Sequence, residues 1–190
     1  MTEASVISPR GGHRIPVVSF VGRSDSGKTT ALEGVIRELT ARGYRVATVK
    51  HHVHDFEIDV PGKDSWRHAR AGAVVTMVSA PHKLAVLRDV DRETTLDELV
   101  EAAGKVDILL TEGFRIAGSV RVEVARSARS AELLCSPDEL FALLTDGDHD
   151  CGSVPVFSLD DTAGVADLIE RTFLARAATS PQGAPEEAGA

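Results

Sequence analysis

Between residues 15 and 176, apolar positions recur alternately at strand and at helix spacing. Ile15–Val21 is a mostly apolar run of strand length, and Leu32, Val35, Ile36 and Leu39 then fall on one helical face until Gly43 offers a stop. Residues 44–50 read as a second strand, so 15–50 is predicted to be a βαβ crossover, which implies a parallel sheet. Asp64 can cap a short helix ending at Gly72, and 73–79 follows as a strand with 83–90 as its hairpin partner. Thr95 and Glu98 form a capping box ahead of Leu96, Leu99, Val100 and Ala103, with Gly104 at the stop. Residues 106–112 read as a central strand, 120–125 as a more exposed alternating one, and 140–145 and 154–158 as two further core strands. A last helix over 163–176 buries Val165, Leu168, Ile169 and Phe173. The expected architecture is α/β: a three-layer sandwich whose sheet is mainly parallel, with antiparallel edge strands.

The segments 1–14 and 177–190 are rich in small residues and lack apolar periodicity, so both are expected to be mobile tails around one domain, 15–176. No run approaches the roughly 18 apolar residues that cross a bilayer, and the start lacks the layout of a signal peptide, which predicts a cytoplasmic protein without a membrane partner. Cys135 and Cys151 are too few for a disulfide framework and are expected to be reduced, partly buried thiols. The formal net charge of −8 is unevenly divided: residues 1–92 carry 14 Lys+Arg against 10 Asp+Glu, and residues 93–190 carry 7 against 19. Such an acidic chain, with only six Phe, one Trp and one Tyr, is a poor nucleic-acid binder, whereas its basic first half suits an anionic small ligand.

The ligand class is written in residues 22–29, Gly-Arg-Ser-Asp-Ser-Gly-Lys-Thr, which fit the phosphate-loop pattern G-x-x-x-x-G-K-[ST] between a strand and a helix. Gly22 and Gly27 free the backbone to wrap phosphate, Lys28 bridges terminal phosphates and Thr29 offers a hydroxyl to Mg²⁺. The nucleotide-binding stretch therefore takes in Gly22, Arg23, Ser24, Asp25, Ser26, Gly27, Lys28, Thr29 and Thr30, and the fold becomes a P-loop NTPase sandwich. Glu112 closes the apolar strand 106–112 and should emerge beside that loop as the second Mg²⁺ residue, while Asp107 should lie far away at the other end. Asp146 also follows a strand, and a carboxylate there can accept from guanine N1–H and N2–H₂ or serve only as a turn residue. The loop after the second strand gathers Lys50, His51, His52, His54, Asp55 and Lys63 and reads as a switch or substrate loop. Its alternatives are anion contact through the two lysines, a metal site on the histidines and Asp55, or a solvated partner-facing loop. Lys28, Glu112 and Asp55 are the candidate catalytic residues, with Asp55 the available general base.

Beyond the phosphate loop, Lys50-His51-His52 with His54-Asp55-Phe56, Pro61-Gly62-Lys63-Asp64-Ser65-Trp66-Arg67, Ala71-Gly72-Ala73 and Thr111-Glu112-Gly113-Phe114 occur in one order. This set resembles the molybdopterin-guanine dinucleotide biosynthesis adaptor family, MobB, over about residues 15–160. The resemblance implies a GTP-binding protein with weak, Mg²⁺-dependent GTPase activity that assists a molybdenum cofactor guanylyltransferase, as a homodimer, with molybdopterin or molybdenum cofactor as a further candidate ligand of the histidine loop. Asp146 stands in a Thr-Asp pair rather than the Asn-Lys-x-Asp of common GTPases, so the guanine assignment leans on position. Two alternatives share the phosphate loop: a GTPase that inserts a metal such as nickel, and a small-molecule kinase.

Overall fold

The computed structural model describes residues 6–7, 15–52, 56–115 and 119–175, and they form two compact units: one built from the chain up to His51 together with Leu99 onward, the other from His52 to Glu98. The span 15–176, read from sequence as one domain, contains both.

The first unit is an α/β sheet structure. Strand β1 (Val6–Ile7) pairs antiparallel with the start of β2 (Ile15–Val21). The chain then runs through α1 (Lys28–Ala41) and β3 (Val46–Lys50), leaves for the second unit, and returns to β6 (Ile108–Glu112), β7 (Val120–Ala125), β8 (Leu140–Thr145), β9 (Val156–Phe157) and α4 (Thr162–Ile169). Strands β3-β6-β2-β7-β8-β9 lie in that order, every neighbouring pair parallel, so β2 is central and all seven of its residues are buried. Because each parallel step needs a crossover, the C-terminal ends of β2, β6, β7 and β8 share one edge of the sheet, where loops can converge on a ligand.

One face of the sheet packs against α1 and α4, with Val18, Phe20, Ile108, Leu110, Val122 and Leu144 meeting Val35, Leu39, Val165 and Ile169. The two helices approach closely at Gly34, where a Cβ would lie 2.5 Å from Thr162 Cγ2. Past Ile169 the last turn widens into a π-helical stretch, Glu170–Leu174. There Glu170 accepts from Arg42 Nη1 at 2.6 Å and from the Tyr44 hydroxyl at 2.8 Å. On the other face Ala125, Leu143 and Cys151 cluster with Leu133 and Val154. Cys135 and Cys151 are both free and buried, and burial pushes each thiol pKa up.

Two strands differ from expectation. Residues 120–125 are not an exposed strand: β7 lies between β2 and β8, and Arg121 to Ala125 are all buried. Its alternation reflects inward charges with partners rather than a wet face. Arg121 pairs with Glu139, and Glu123 accepts the N–H groups of Leu134 at 2.7 Å and Cys135 at 2.9 Å. The strand predicted at 154–158 is only the two-residue edge strand β9, with Val156 exposed.

The second unit holds α2 (Asp64–Arg70) and an antiparallel hairpin, β4 (Val75–Ala80) with β5 (Lys83–Arg88). Helix α3 (Leu96–Ala103) begins in this unit and ends in the first. Its predicted capping box is present: the Thr95 N–H donates to Glu98 Oε2 at 2.8 Å and the Glu98 N–H to Thr95 Oγ1 at 3.4 Å.

Candidate functional site

The loop between β2 and α1 wraps as its glycines allow. Gly22 has φ +152, and a Cβ there would sit 2.4 Å from Val124 O, so only glycine lets the loop leave β2 this close to β7. Gly27, at φ +100, opens α1, and its carbonyl accepts the Ala31 N–H at 2.9 Å. Between them Asp25 takes φ +58, a left-handed conformation that aspartate tolerates better than most residues. The Arg129 guanidinium lies 3.9 Å from its carboxylate and offsets the negative charge inside the loop. Lys28 folds back so that its Nζ donates to Arg23 O at 2.6 Å, spanning the loop's mouth. Successive N–H groups at a 14-residue helix's start, with a lysine over them, form an anion cradle.

Glu112 ends β6, directly beside β2, with Phe20 as its partner across the pair. Its side chain is 12% exposed and accepts the Thr29 hydroxyl at 2.8 Å on Oε1, with Lys50 Nζ 3.7 Å from the same oxygen. Thr29, Lys50 and Glu112 therefore converge at the sheet edge, as their placement at a helix start and two strand ends predicts. The hydroxyl and the carboxylate make a hard-oxygen pair. His51 follows Lys50; its N–H donates to Glu112 O at 3.0 Å and its ring lies 4.7 Å from that of Phe114. Asp107 is at the far end of β6, where Arg45 grips it through both oxygens at 2.8 and 3.2 Å.

On the other flank of the loop, Asp146 follows β8 and is exposed, but it is not idle: its Oδ1 accepts the Ser127 N–H at 2.6 Å. That bond holds its carboxyl below the usual aspartate range. The segment after β7, with Arg126, Ser127 and Arg129, is thus tied to both the phosphate loop and the end of β8. Sequence reading missed it. The available signal was two arginines directly after a strand whose neighbours both carry site residues at the same end.

The remaining loop residues belong to the second unit. His52 lies 5.7 Å from Phe56, and Lys63 is the residue from which α2 starts. Asp59 organises the turn before that helix by accepting from Val60 N–H at 2.8 Å and Ser65 Oγ at 2.9 Å. His54 and Asp55 lie outside the described residues. Among the described residues no three His, Cys, Asp or Glu side chains come together as a metal site, and no helix is long and apolar enough to cross a membrane.

The profile of the MobB family, described as molybdopterin guanine dinucleotide synthesis protein B, matches residues 17–146. The chain is 32% identical over 161 residues to the molybdopterin-guanine dinucleotide biosynthesis adapter protein of Escherichia coli K12, covering 82% of this chain and 91% of that one. It is 31% identical over 156 residues to a probable adapter protein of the same name from Bacillus subtilis 168, covering 79% and 89%. A crystal structure of molybdopterin-guanine biosynthesis protein B superposes with a TM-score of 0.64 at 31% identity, covering 83% of this chain and 98% of that one. A Bacillus subtilis MobB crystal structure superposes with 0.65 at 28% identity, covering 84% and 98%.

Proposed function

The chain belongs to the MobB family, and on that premise we propose that it is a GTP-binding adaptor with slow GTPase activity, assisting a molybdenum cofactor guanylyltransferase in forming the guanine dinucleotide cofactor in the cytoplasm. The observation that carries the reading is the convergence of Lys28, Thr29 and Glu112 at the end of two adjacent parallel strands. In this reading the backbone of residues 22–27 holds the phosphates and Lys28 exchanges the Arg23 carbonyl for a terminal phosphate, trading a neutral acceptor for a charged one. The Thr29 hydroxyl and Glu112 carboxylate are already 2.8 Å apart, and they are the donor types that Mg²⁺ takes, so the two would hold it directly or through water. When bound, that ion neutralises charge on the phosphate oxygens. Lys50, 3.7 Å from Glu112, sets the carboxylate's orientation. Asp146 reads guanine with the acceptor capacity that Ser127 leaves open.

The same reading makes the protein a homodimer, supported by an apolar face on the β4–β5 hairpin. Met77 and Val86 face each other across the strands and Leu84 is on the same side, at 66%, 51% and 64% exposure. A two-stranded hairpin is marginal alone, and solvent-facing apolar rows are covered in most stable assemblies.

The test pairs nucleotide titration with capture of the partner. Wild type should bind GTP with Mg²⁺ and retain purified guanylyltransferase, and Lys28→Ala should lose about tenfold or more in GTP affinity, the value of a charged hydrogen bond of ~1.5–3 kcal/mol. Unchanged affinity in Lys28→Ala would sink the phosphate-loop assignment. Failure to retain the guanylyltransferase in the presence of GTP would sink the adaptor role.

A further inference from the structure

Directly after β7 the chain makes a tight turn in which the N–H groups of Arg129 and Ser130 both reach Arg126 O, at 2.8 and 3.2 Å. The turn is anchored on two sides, by Asp146 at the Ser127 N–H and by Arg129 at Asp25 of the phosphate loop. Farther along, the same connection is pinned to the sheet by the buried Arg121 and Glu123. An arginine-bearing turn therefore stands against the loop, although nothing in sheet formation requires arginine there.

Arg129 already has a carboxylate. Arg126 makes neither a salt bridge nor a side-chain hydrogen bond among the described residues and is exposed, and it acts on the Asp146 carboxylate only weakly, through space. A Cβ built on Gly27 would lie 3.5 Å from Arg126 Nη2, so this cation stands at the entry of α1, where the helix presents its unpaired N–H groups. We propose that Arg126 is a phosphate-binding residue supplied from the β7–β8 connection, adding a second cation to Lys28. The inference rests on the phosphate-loop reading of residues 22–29. Because the backbone around Gly27 faces the inner phosphates whereas the loop lysine reaches the outer ones, the contact falls on the α- and β-phosphates that a nucleoside diphosphate and triphosphate share. The planar fork of guanidinium can take two phosphate oxygens at once, which an ammonium cannot.

The test is equilibrium titration of GTP and GDP with Mg²⁺ into wild type, Arg126→Ala, Arg126→Lys and Lys28→Ala. Arg126→Ala should weaken both nucleotides by a similar factor of about ten or more, with Arg126→Lys in between. Thermal unfolding without nucleotide should change little, because the side chain is exposed. Unchanged affinity, or a loss confined to GTP, overturns the assignment. If Lys28→Ala loses nucleotide while Arg126→Ala keeps it, only the Arg126 role falls; if wild type binds neither nucleotide, the phosphate-loop reading falls and this inference goes with it.

Discussion

Asp146 shows how one carboxylate can carry a structural bond and still be available for recognition. Its Oδ1 takes the Ser127 N–H at 2.6 Å, which ties the turn after β7 to the end of β8. The proposed guanine contact uses the remaining lone pairs to accept from N1–H and N2–H₂. Asp146→Asn keeps an oxygen for Ser127 and places an amide donor where the base amine would donate, so GTP should weaken. Xanthine carries a carbonyl at that ring position, so XTP should tighten. A misplaced hydrogen bond here is worth ~1–3 kcal/mol, hence roughly tenfold or more in the GTP to XTP ratio, read by parallel titrations. A ratio that stays put would leave Asp146 as an anchor of the arginine turn alone. Sequence exposed Lys28, Thr29 and Glu112 because each is fixed by a local pattern: a glycine-flanked lysine before a helix, or an acid closing an apolar strand. Arg126, Arg129 and the Ser127 N–H have no local pattern; only the pairing of β7 with both β2 and β8 brings them to the loop.

Among the elements, α1 and α4 meet at Gly34, and competing magnitudes decide what a methyl group there would do. Alanine gains about 1 kcal/mol of helix propensity over glycine. Against that, its Cβ would fall 2.5 Å from Thr162 Cγ2 and 2.6 Å from Oγ1, and overpacking of this kind costs ~1–3 kcal/mol. Gly34→Ala should therefore be neutral at best and destabilising by up to about 2 kcal/mol in denaturant unfolding, and adding Thr162→Ala should not restore wild-type stability, because the Cβ of residue 162 would still stand 2.7 Å from the new methyl. A Gly34→Ala variant clearly more stable than wild type would mean that Thr162 is not what crowds the crossing. The crossover β2–α1–β3 was readable because its periods are clean and its glycines stand at its breaks. Strand β7 was not, since alternation of charge with valine normally marks a half-wet strand. Here the partners of Arg121 and Glu123, namely Glu139 and the N–H groups of Leu134 and Cys135, come from the following connection and turn those charges inward.

For the whole molecule, the two compact units divide the proposed work: nucleotide binding in the sheet unit, self-association in the hairpin unit. The hairpin's exposed row is best tested without breaking the hairpin. Met77 and Val86 are direct cross-strand partners, so Met77→Glu with Val86→Lys replaces an apolar pair by opposite charges that still attract across the strands. Two charges on that row would have to be desolvated in an apolar interface, which costs several kcal/mol per ion when the partner surface offers no compensation. Wild type should therefore sediment as a dimer and the double variant as a monomer, both with unchanged secondary structure by circular dichroism. Nucleotide affinity per chain should be the same in both, because Lys28, Thr29, Glu112 and Asp146 all belong to the other unit. A double variant that remains dimeric would move self-association away from this row, and a monomeric wild type would remove it from the proposed function altogether.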